Sequence, residues 1–230
     1  MKVVFITGTD TNVGKTLITG MLARFLLQKG YQTITQKWIQ TGSTLDIDTH
    51  LKLMNVKKQK IKNYLPYISP YSFRFPASPH LAAKLGKNLV NVNKIIKSFR
   101  FLQKSFDSVI VEGMGGALVP FNDKSLVIDI AKKLSLPVVI VVDNKLGAIN
   151  HTLLTIEAIK RRKMKIIGII FNNCHKNTNK IILKDNMEII KKLTGEEILG
   201  TLPYTKKRDF LYKNFLPIGR RYLKVLHTQP

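Results

Sequence analysis

The chain has 230 residues, a formal net charge of +24 and a single cysteine, Cys174. Its length suits one domain, and 44% hydrophobic residues suffice for a core, which excludes disorder as the main state. One cysteine excludes an intramolecular disulfide, so nothing indicates an oxidising compartment. The first ten residues lack the features of a secretory signal, and no apolar run reaches the roughly 20 residues of a membrane span. We therefore expect one domain over residues 1–230, in the cytoplasm and without a membrane partner.

The basic excess raises the question of a nucleic-acid partner. Of the 38 basic residues, 30 are lysine, and they are spread along the chain among many isoleucines and asparagines. These three residue types share A- and T-rich codons, so mutational bias in the gene explains the excess without a ligand. Arginine, which reads bases through paired hydrogen bonds, is scarce, and no recognised nucleic-acid motif is present. We expect nonspecific binding of polyanions and no specific nucleic-acid partner.

Hydrophobic periodicity predicts strands that alternate with helices. Nearly continuous Val and Ile runs indicate strands that are buried on both faces, as in a parallel sheet covered by helices. In chain order, the predicted elements are a strand at 3–7, a helix at 15–29, a strand at 31–37, a helix at 92–105, a strand at 108–112, a helix at 125–134, a strand at 137–143, a helix at 150–163, a strand at 165–171, a helix at 179–193 and a strand at 197–203. This alternation predicts an α/β fold with a mostly parallel sheet and helices on both faces.

Two segments do not follow the alternation. Residues 56–80 contain four prolines and five aromatic residues, which indicates an ordered excursion within the domain rather than a flexible linker. Within it, Ser78 and Pro79 have the pattern of a helix N-cap followed by proline at the first helical position. A scaffold loop and a substrate-contacting loop both fit this composition. The last 25 residues carry no strong pattern.

The strongest motif follows the first strand directly: the run GTDTNVGKT over residues 8–16, at the start of a predicted helix. Glycines allow backbone N–H groups to approach phosphate, Lys15 can bridge the outer phosphates, and the Thr16 hydroxyl can bind a magnesium ion. The helix start adds free N–H groups and a positive dipole end. Five residues rather than four separate Gly8 from Gly14. The sequence predicts a P-loop that binds a nucleoside triphosphate.

Acidic ligands for the magnesium ion are expected at the carboxyl ends of other strands, where sites of open α/β sheets collect. Glu112 ends a buried strand and opens a glycine-rich run, so it is the favoured ligand, although a salt-bridged or helix-capping glutamate fits too. Asp48, in the run LDIDTHL, is the weaker candidate.

These motifs resemble the dethiobiotin synthetase family, in order, from residue 2 to about residue 203. The matching elements are GTDTNVGKT, Lys37 with Thr41 and Gly42, Asp48, PYSF and SPH within 70–80, VEGMGG from 111, VVDNKLGAINH up to 151, FNN at 171–173 and LGTLP at 199–203. The resemblance implies an ATP-dependent cyclo-ligase of biotin biosynthesis with a single-domain P-loop NTPase-like fold. It would form dethiobiotin from 7,8-diaminopelargonate, CO2 and ATP through a carbamate and a carbamic-phosphoric anhydride.

The resemblance also implies roles for individual residues. Lys37 and Lys15 would be catalytic, Lys37 between carbamate and γ-phosphate. Magnesium would be held by Thr16, Asp48 and Glu112. The ATP-binding residues would be Thr11, Asn12, Val13, Gly14, Lys15, Thr16, Asp48, Glu112, Gly113, Gly115, Asn172, Asn173, Pro203, Tyr204 and Thr205. The substrate-binding residues would be Lys37, Thr41, Gly147 and Asn150, the last two serving the neighbouring subunit of a homodimer.

The sequence departs from the family pattern at four positions. Asn12 stands where glutamate is common, Trp38 replaces a proline, Thr41 replaces a serine, and Met114 replaces a small residue. Two other functions stay open at this stage. One is a partitioning or division-type P-loop ATPase, although such proteins carry a lysine early in the loop where this chain has Asp10. The other is a nucleotide-binding remnant without turnover.

Overall fold

Six parallel strands form the central sheet, in the order β10-β9-β8-β1-β5-β2. The computed structural model describes residues 2–42 and 45–228, with the side chain of residue 45 left out. The strands are β1 (Lys2–Gly8), β2 (Thr33–Lys37), β3 (Ile39–Thr41), β4 (Tyr71–Phe73), β5 (Ser108–Gly116), β6 (Pro120–Asn122), β7 (Ser125–Leu126), β8 (Val138–Asp143), β9 (Ile166–Asn172) and β10 (Ile198–Leu202). The predicted α/β fold class is confirmed.

Helices connect these strands. They are α1 (Lys15–Gln28), α2 (Leu45–Met54), α3 (Leu65–Ile68), α4 (Pro79–Leu85), α5 (Val92–Ser105), α6 (Val127–Lys133), α7 (Ala148–Lys160), α8 (Lys180–Thr194) and α9 (Arg208–Thr228), with a 3-10 helix at Lys58–Tyr64. Within the described part of the chain, none of these helices combines the length and the apolar character that crossing a membrane requires.

Apolar side chains pack on both faces of the sheet, as the continuous apolar runs predict. In β1, Val4 and Ile6 point to a cluster formed with α1 and α9, whereas Phe5 points to the opposite cluster with α5, α6 and α7. In sheets covered on both faces, ligands bind at the carboxyl ends of the strands. The strand order puts β1 between β5 and β8, so the loop after β1 lies at the centre of that open edge.

The segment at 56–80 contains the 3-10 helix, α3 and β4, and β4 pairs in parallel with β3. Aromatic rings attach it to α5: the ring centroids of Tyr67 and Phe101 are 4.0 Å apart, and those of Tyr64 and Phe106, just beyond α5, are 4.8 Å apart. Pro79 begins α4 after Ser78, as the proline pattern predicts. This segment closes over one side of the sheet beside β2.

The C-terminal region differs from the expectation of no pattern, because α9 spans 21 residues there. Its buried side chains, including Leu211, Phe215, Ile218 and Tyr222, recur at helical spacing and cover α1 and the sheet. Two features weaken the helical pattern in the sequence: Pro217 lies inside the helix, and basic residues surround the apolar positions. The helix therefore depends on packing against the core rather than on local propensity.

Candidate active site

The loop between β1 and α1 has the backbone geometry of a phosphate-binding loop. Gly14 has a φ of 98°, in the left-handed region, and a Cβ there would collide with the side-chain amide of Asn172. Asn12 also has a positive φ, of 60°, which asparagine tolerates better than glutamate. The Lys15 ammonium folds back over the loop and donates to the Asp10 carbonyl oxygen at 2.7 Å. The backbone of the loop therefore has a phosphate-binding conformation, and the Lys15 ammonium is held against it.

A cleft of about 890 Å³ opens above this loop. It brings together residues that are far apart in the chain and that the sequence analysis singled out: Thr11, Asn12, Gly14, Lys15, Thr16, Lys37, Thr41, Glu112 and Gly115. Asp46, Thr49 and residues 76–79 complete its walls. Val13 of the loop and Gly113 of β5 are buried, and Gly113 lies against the ring of Phe5.

Lys37 and Glu112 are the centre of a charged cluster at the bottom of the cleft. Lys37 ends β2, Glu112 lies within the neighbouring strand β5, which continues to Gly116, and the two are direct partners in the strand register. The Lys37 ammonium donates to Glu112 Oε1 at 2.9 Å and also contacts Asp46 Oδ2. The Thr16 hydroxyl lies 2.9 Å from the same Glu112 oxygen and 3.2 Å from Asp46 Oδ1. A P-loop residue, a lysine and two carboxylates therefore meet at one point.

Burial and charge act against each other on the ionisation of this cluster. Burial by itself would lower the pKa of Lys37, but Glu112 and Asp46 raise it above the ordinary lysine value. Burial would raise the pKa of Glu112, but Lys37 and His50 overcome it and lower that pKa to about 2. At neutral pH the pair is consequently an ammonium and a carboxylate. For Lys15, burial dominates and lowers the pKa to about 8, with Glu112 opposing it.

In the structure Asp46, rather than the expected Asp48, reaches the cluster. Helix α2 begins at residue 45, so Asp46 and Thr49 face the cleft one turn apart. Asp48 points to the outside, where its carboxylate pairs with the exposed Lys58 at 3.1 Å. The acidic run LDIDTHL contains both residues, and only the register of the helix distinguishes them.

His50 was not among the site residues expected from the sequence; it is fully buried, with its Nε2 atom 2.7 Å from Glu112 Oε2. The sequence contains a spacing that could have indicated His50 as a site residue. Asp46 and His50 are four residues apart, a spacing that places two side chains on one face of a helix.

The oxygen donors of this cluster fit a magnesium ion. In residues 2–42 and 45–228, no group of three or more His, Cys, Asp or Glu side chains is arranged to hold a metal. Mg²⁺ in nucleotide sites commonly takes one or two carboxylates and completes its shell with phosphate oxygens and water. Thr16 Oγ1, Asp46 Oδ1 and Glu112 Oε1 supply hard oxygens of this kind beside the P-loop. The chemistry of the donor set therefore suits Mg²⁺ with a bound nucleotide.

The residues expected around adenine lie on the other side of the P-loop. Asn172 ends β9, and its amide nitrogen donates to the Val13 carbonyl at 3.0 Å. The backbone N–H of Asn173 donates to Leu202, which joins this loop to the one that contains Pro203, Tyr204 and Thr205. Asn144 and Asn186 brace the same region through hydrogen bonds at 2.9 Å to each other and, from Asn144, at 3.1 Å to Asn173.

Gly147 and Asn150 do not line the cleft of their own chain. Gly147 precedes α7 with a φ of 88°, and a Cβ added there would meet no atom of the described residues within 4 Å. Both residues are exposed, and Leu146 beside them is 80% exposed. The start of α7 is thus an open surface next to an apolar side chain.

Trp38 and Met114, two departures from the family pattern, are accommodated by packing. Trp38 is fully buried, stacks on Phe5 at 5.5 Å and donates from Nε1 to Gln36 Oε1 at 3.0 Å. Met114 is 7% exposed and lines the cleft. The Trp38 contacts hold the backbone on both sides of Lys37.

A family model described as an AAA domain matches residues 2–209. The chain is 36% identical to the ATP-dependent dethiobiotin synthetase BioD of Halalkalibacterium halodurans, over 97% of each chain. It is also 36% identical to BioD 2 of Pasteurella multocida, over 87% of this chain and 95% of the relative. Among solved structures, the MinC:MinD cell division protein complex of Aquifex aeolicus matches with a TM-score of 0.61 at 17% identity, covering 100% of this chain and 98% of that one. At this identity the structural likeness concerns the fold alone.

Proposed function

We propose that this chain, which belongs to the ATP-dependent dethiobiotin synthetase family, forms dethiobiotin from 7,8-diaminopelargonate, carbon dioxide and ATP. The observation that carries the proposal is the position of Lys37. Its ammonium is 2.9 Å from the Glu112 carboxylate, which also accepts from Thr16 of the P-loop. A fixed cation beside the triphosphate site is what a reaction between a carbamate and a γ-phosphate requires, because two anions must approach each other.

The reaction has three steps. One amine of the substrate adds to carbon dioxide and loses a proton, which gives a carbamate. A carbamate oxygen attacks the γ-phosphorus, and the bond from that phosphorus to the bridging oxygen of ADP breaks. The second amine then attacks the carbamate carbon, the bond from that carbon to the phosphate-bearing oxygen breaks, and loss of a proton completes the ureido ring and releases phosphate. The attacking carbamate oxygen is already anionic, so the phosphoryl transfer needs no general base.

The side chains of the cleft divide these tasks. Lys15 would neutralise the outer phosphates, for which its fold-back contact with Asp10 must break. Lys37 would lie between the carbamate and the transferring phosphoryl group, and the Thr41 hydroxyl at the cleft wall would orient the carbamate. Thr16, Asp46 and Glu112 would hold Mg²⁺, which when bound adds positive charge beside the phosphates. Asn172, Asn173 and residues 203–205 would contact adenine.

The proposal includes a homodimer. Gly147 and Asn150 lie outside the cleft of their own chain, at the exposed start of α7 beside Leu146. Free N–H groups at the start of this helix suit the substrate carboxylate. A two-fold contact would bring that surface to the neighbouring subunit's cleft. A cytoplasmic enzyme that acts on small molecules, without a specific nucleic-acid or membrane partner, completes the proposal.

Isotope incorporation tests the function directly. The purified chain is incubated with diaminopelargonate, Mg²⁺, ATP and ¹³C-bicarbonate, and the product is analysed by mass spectrometry. We expect dethiobiotin that carries one ¹³C atom, at the ureido carbon, and one phosphate released per product. Reactions without bicarbonate or without diaminopelargonate should release almost no phosphate. Phosphate release that is independent of diaminopelargonate, with no labelled product, would instead favour an ATPase of another kind.

A further inference from the structure

His50 has no role in the reaction as described so far, yet it occupies an unusual place. Its side chain on α2 is fully buried, and α2 also carries Asp46 one turn earlier. Its neighbours on the helix, Ile47 and Leu51, are buried apolar residues. Within the described residues, neither ring nitrogen makes a hydrogen bond of good geometry, although Nε2 lies 2.7 Å from Glu112 Oε2. A buried imidazole whose nitrogens lack well-aligned hydrogen bonds is unfavourable compared with an apolar residue, so another interaction must offset this cost.

That interaction is with Glu112, whose two carboxylate oxygens face different partners. Oε1 accepts from Thr16 and Lys37, both at 2.9 Å, on the side of the cleft. Oε2 faces the opposite side and is buried. In the part of the chain that the structure describes, His50 Nε2 lies 2.7 Å from it. Without the imidazole, Oε2 would be buried beside no donor, and the carboxylate would gain by rotating toward Lys37 and Thr16.

We infer that His50 is a positioning residue that holds the Glu112 carboxylate in the orientation that presents Oε1 to Thr16 and to the bound cation. The inference rests on the proposed function, because it assigns His50 to the same site. Groups that orient a metal-binding side chain by hydrogen bonding typically contribute 10- to 100-fold in metal affinity or activity, about the effect expected here. His50 does this without contact with substrate, so its effect should depend on Mg²⁺.

Two variants separate this role from simple core packing. His50→Leu fills the apolar space but donates no hydrogen bond, whereas His50→Gln retains an N–H donor at about the distance of Nε2. Lys52→Gln, at an exposed position of the same helix, is the matched control. Binding of a non-hydrolysable ATP analogue is measured by calorimetry in Mg²⁺ and in EDTA, and kcat and KM are measured separately.

For His50→Leu we expect a loss of about tenfold or more in the Mg²⁺-dependent part of the affinity, with unchanged binding in EDTA and a fall in kcat. His50→Gln should keep the Mg²⁺ effect to within about threefold, and Lys52→Gln should match the wild type. Equal losses in Leu and Gln variants, or a loss that is as large in EDTA, would overturn the inference in favour of a packing role.

If His50→Leu does not fold, His50→Asn, whose shorter amide does not reach Glu112, takes its place with the same expected outcomes. The binding measurement requires no diaminopelargonate, so absence of dethiobiotin formation would contradict the proposed function without deciding the role of His50.

Discussion

Replacing Lys37 with alanine is the most direct perturbation of the proposed mechanism. The substitution removes the ammonium that lies 2.9 Å from Glu112 Oε1 and contacts Asp46, and so removes the cation from between the reacting anions. Fixed groups that stabilise charge at the transferring centre contribute about 10² to 10³ in rate. We therefore expect kcat at saturating substrates to fall by at least about that factor, equivalent to about 3 to 4 kcal/mol.

The same change should reduce stability by a limited amount. Loss of one partner from a buried ion pair costs about 3 to 5 kcal/mol. Glu112 is almost fully buried but retains Thr16 and His50, whereas the side chain of Asp46 is 34% exposed, so the low end, about 3 kcal/mol, applies. For a chain of this size, Tm should fall by roughly 6 to 12 °C. Turnover must be compared well below that melting point, with circular dichroism as the control for folding.

Nucleotide affinity distinguishes Lys37 from Lys15. Lys15 belongs to the P-loop, so Lys15→Ala should lose both nucleotide binding and turnover. Lys37→Ala should bind ATP to within about threefold of the wild type, as measured by calorimetry, because its role is at the transferring phosphoryl group. Near wild-type turnover of Lys37→Ala at saturating substrates would refute the mechanism. A loss of ATP affinity as large as that of Lys15→Ala would refute the division of roles.

Three further predictions use the same cluster and the start of α7. Asp46→Asn should raise the Mg²⁺ concentration needed for half-maximal turnover by about tenfold, whereas Asp48→Asn should leave it unchanged; the reverse result would restore Asp48 as the ligand. The pKa of Glu112 is lowered to about 2, so its contribution to stability is present above about pH 4.5 and is lost as pH falls toward 2. Glu112→Gln should flatten the pH dependence of the unfolding free energy in that window by about 3 kcal/mol in urea titrations, and parallel curves would contradict this. Mixing Lys37→Ala chains with Gly147→Glu chains, whose added carboxylate repels that of the substrate, should restore one working site per mixed dimer; confirmed heterodimers without activity, or a monomer at assay concentration, would exclude the shared site.

Local sequence patterns were sufficient to predict the parallel sheet and the phosphate loop, because each follows from a simple physical rule. Runs such as VVFIT and VVIVV must be buried on both faces, so they predict a parallel sheet covered by helices. The P-loop could be read because its function depends on the spacing of consecutive residues, Gly14 to Thr16. Glu112 could be located because it ends a predicted strand, and sites of open α/β sheets collect at that edge. Lys37 was indicated by the resemblance to the dethiobiotin synthetase family.

Helix register and long-range packing could not be predicted from local sequence patterns. Asp46 and Asp48 are chemically the same and two residues apart, and the choice between them depends on where α2 begins and on which side packs against the core. His50 has meaning only beside Glu112, a residue 62 positions away in the chain but 2.7 Å away in space. Helix α9 contains Pro217 and a basic surface, and it becomes evident only where Leu211, Phe215 and Tyr222 bury against α1 and the sheet. The sequence by itself determined the class of fold, the phosphate loop and the position of Glu112 at the end of a predicted strand, because local patterns encode them. The tertiary structure decided the remaining contacts of the cluster, because burial and electrostatics between distant segments act only once the chain has folded.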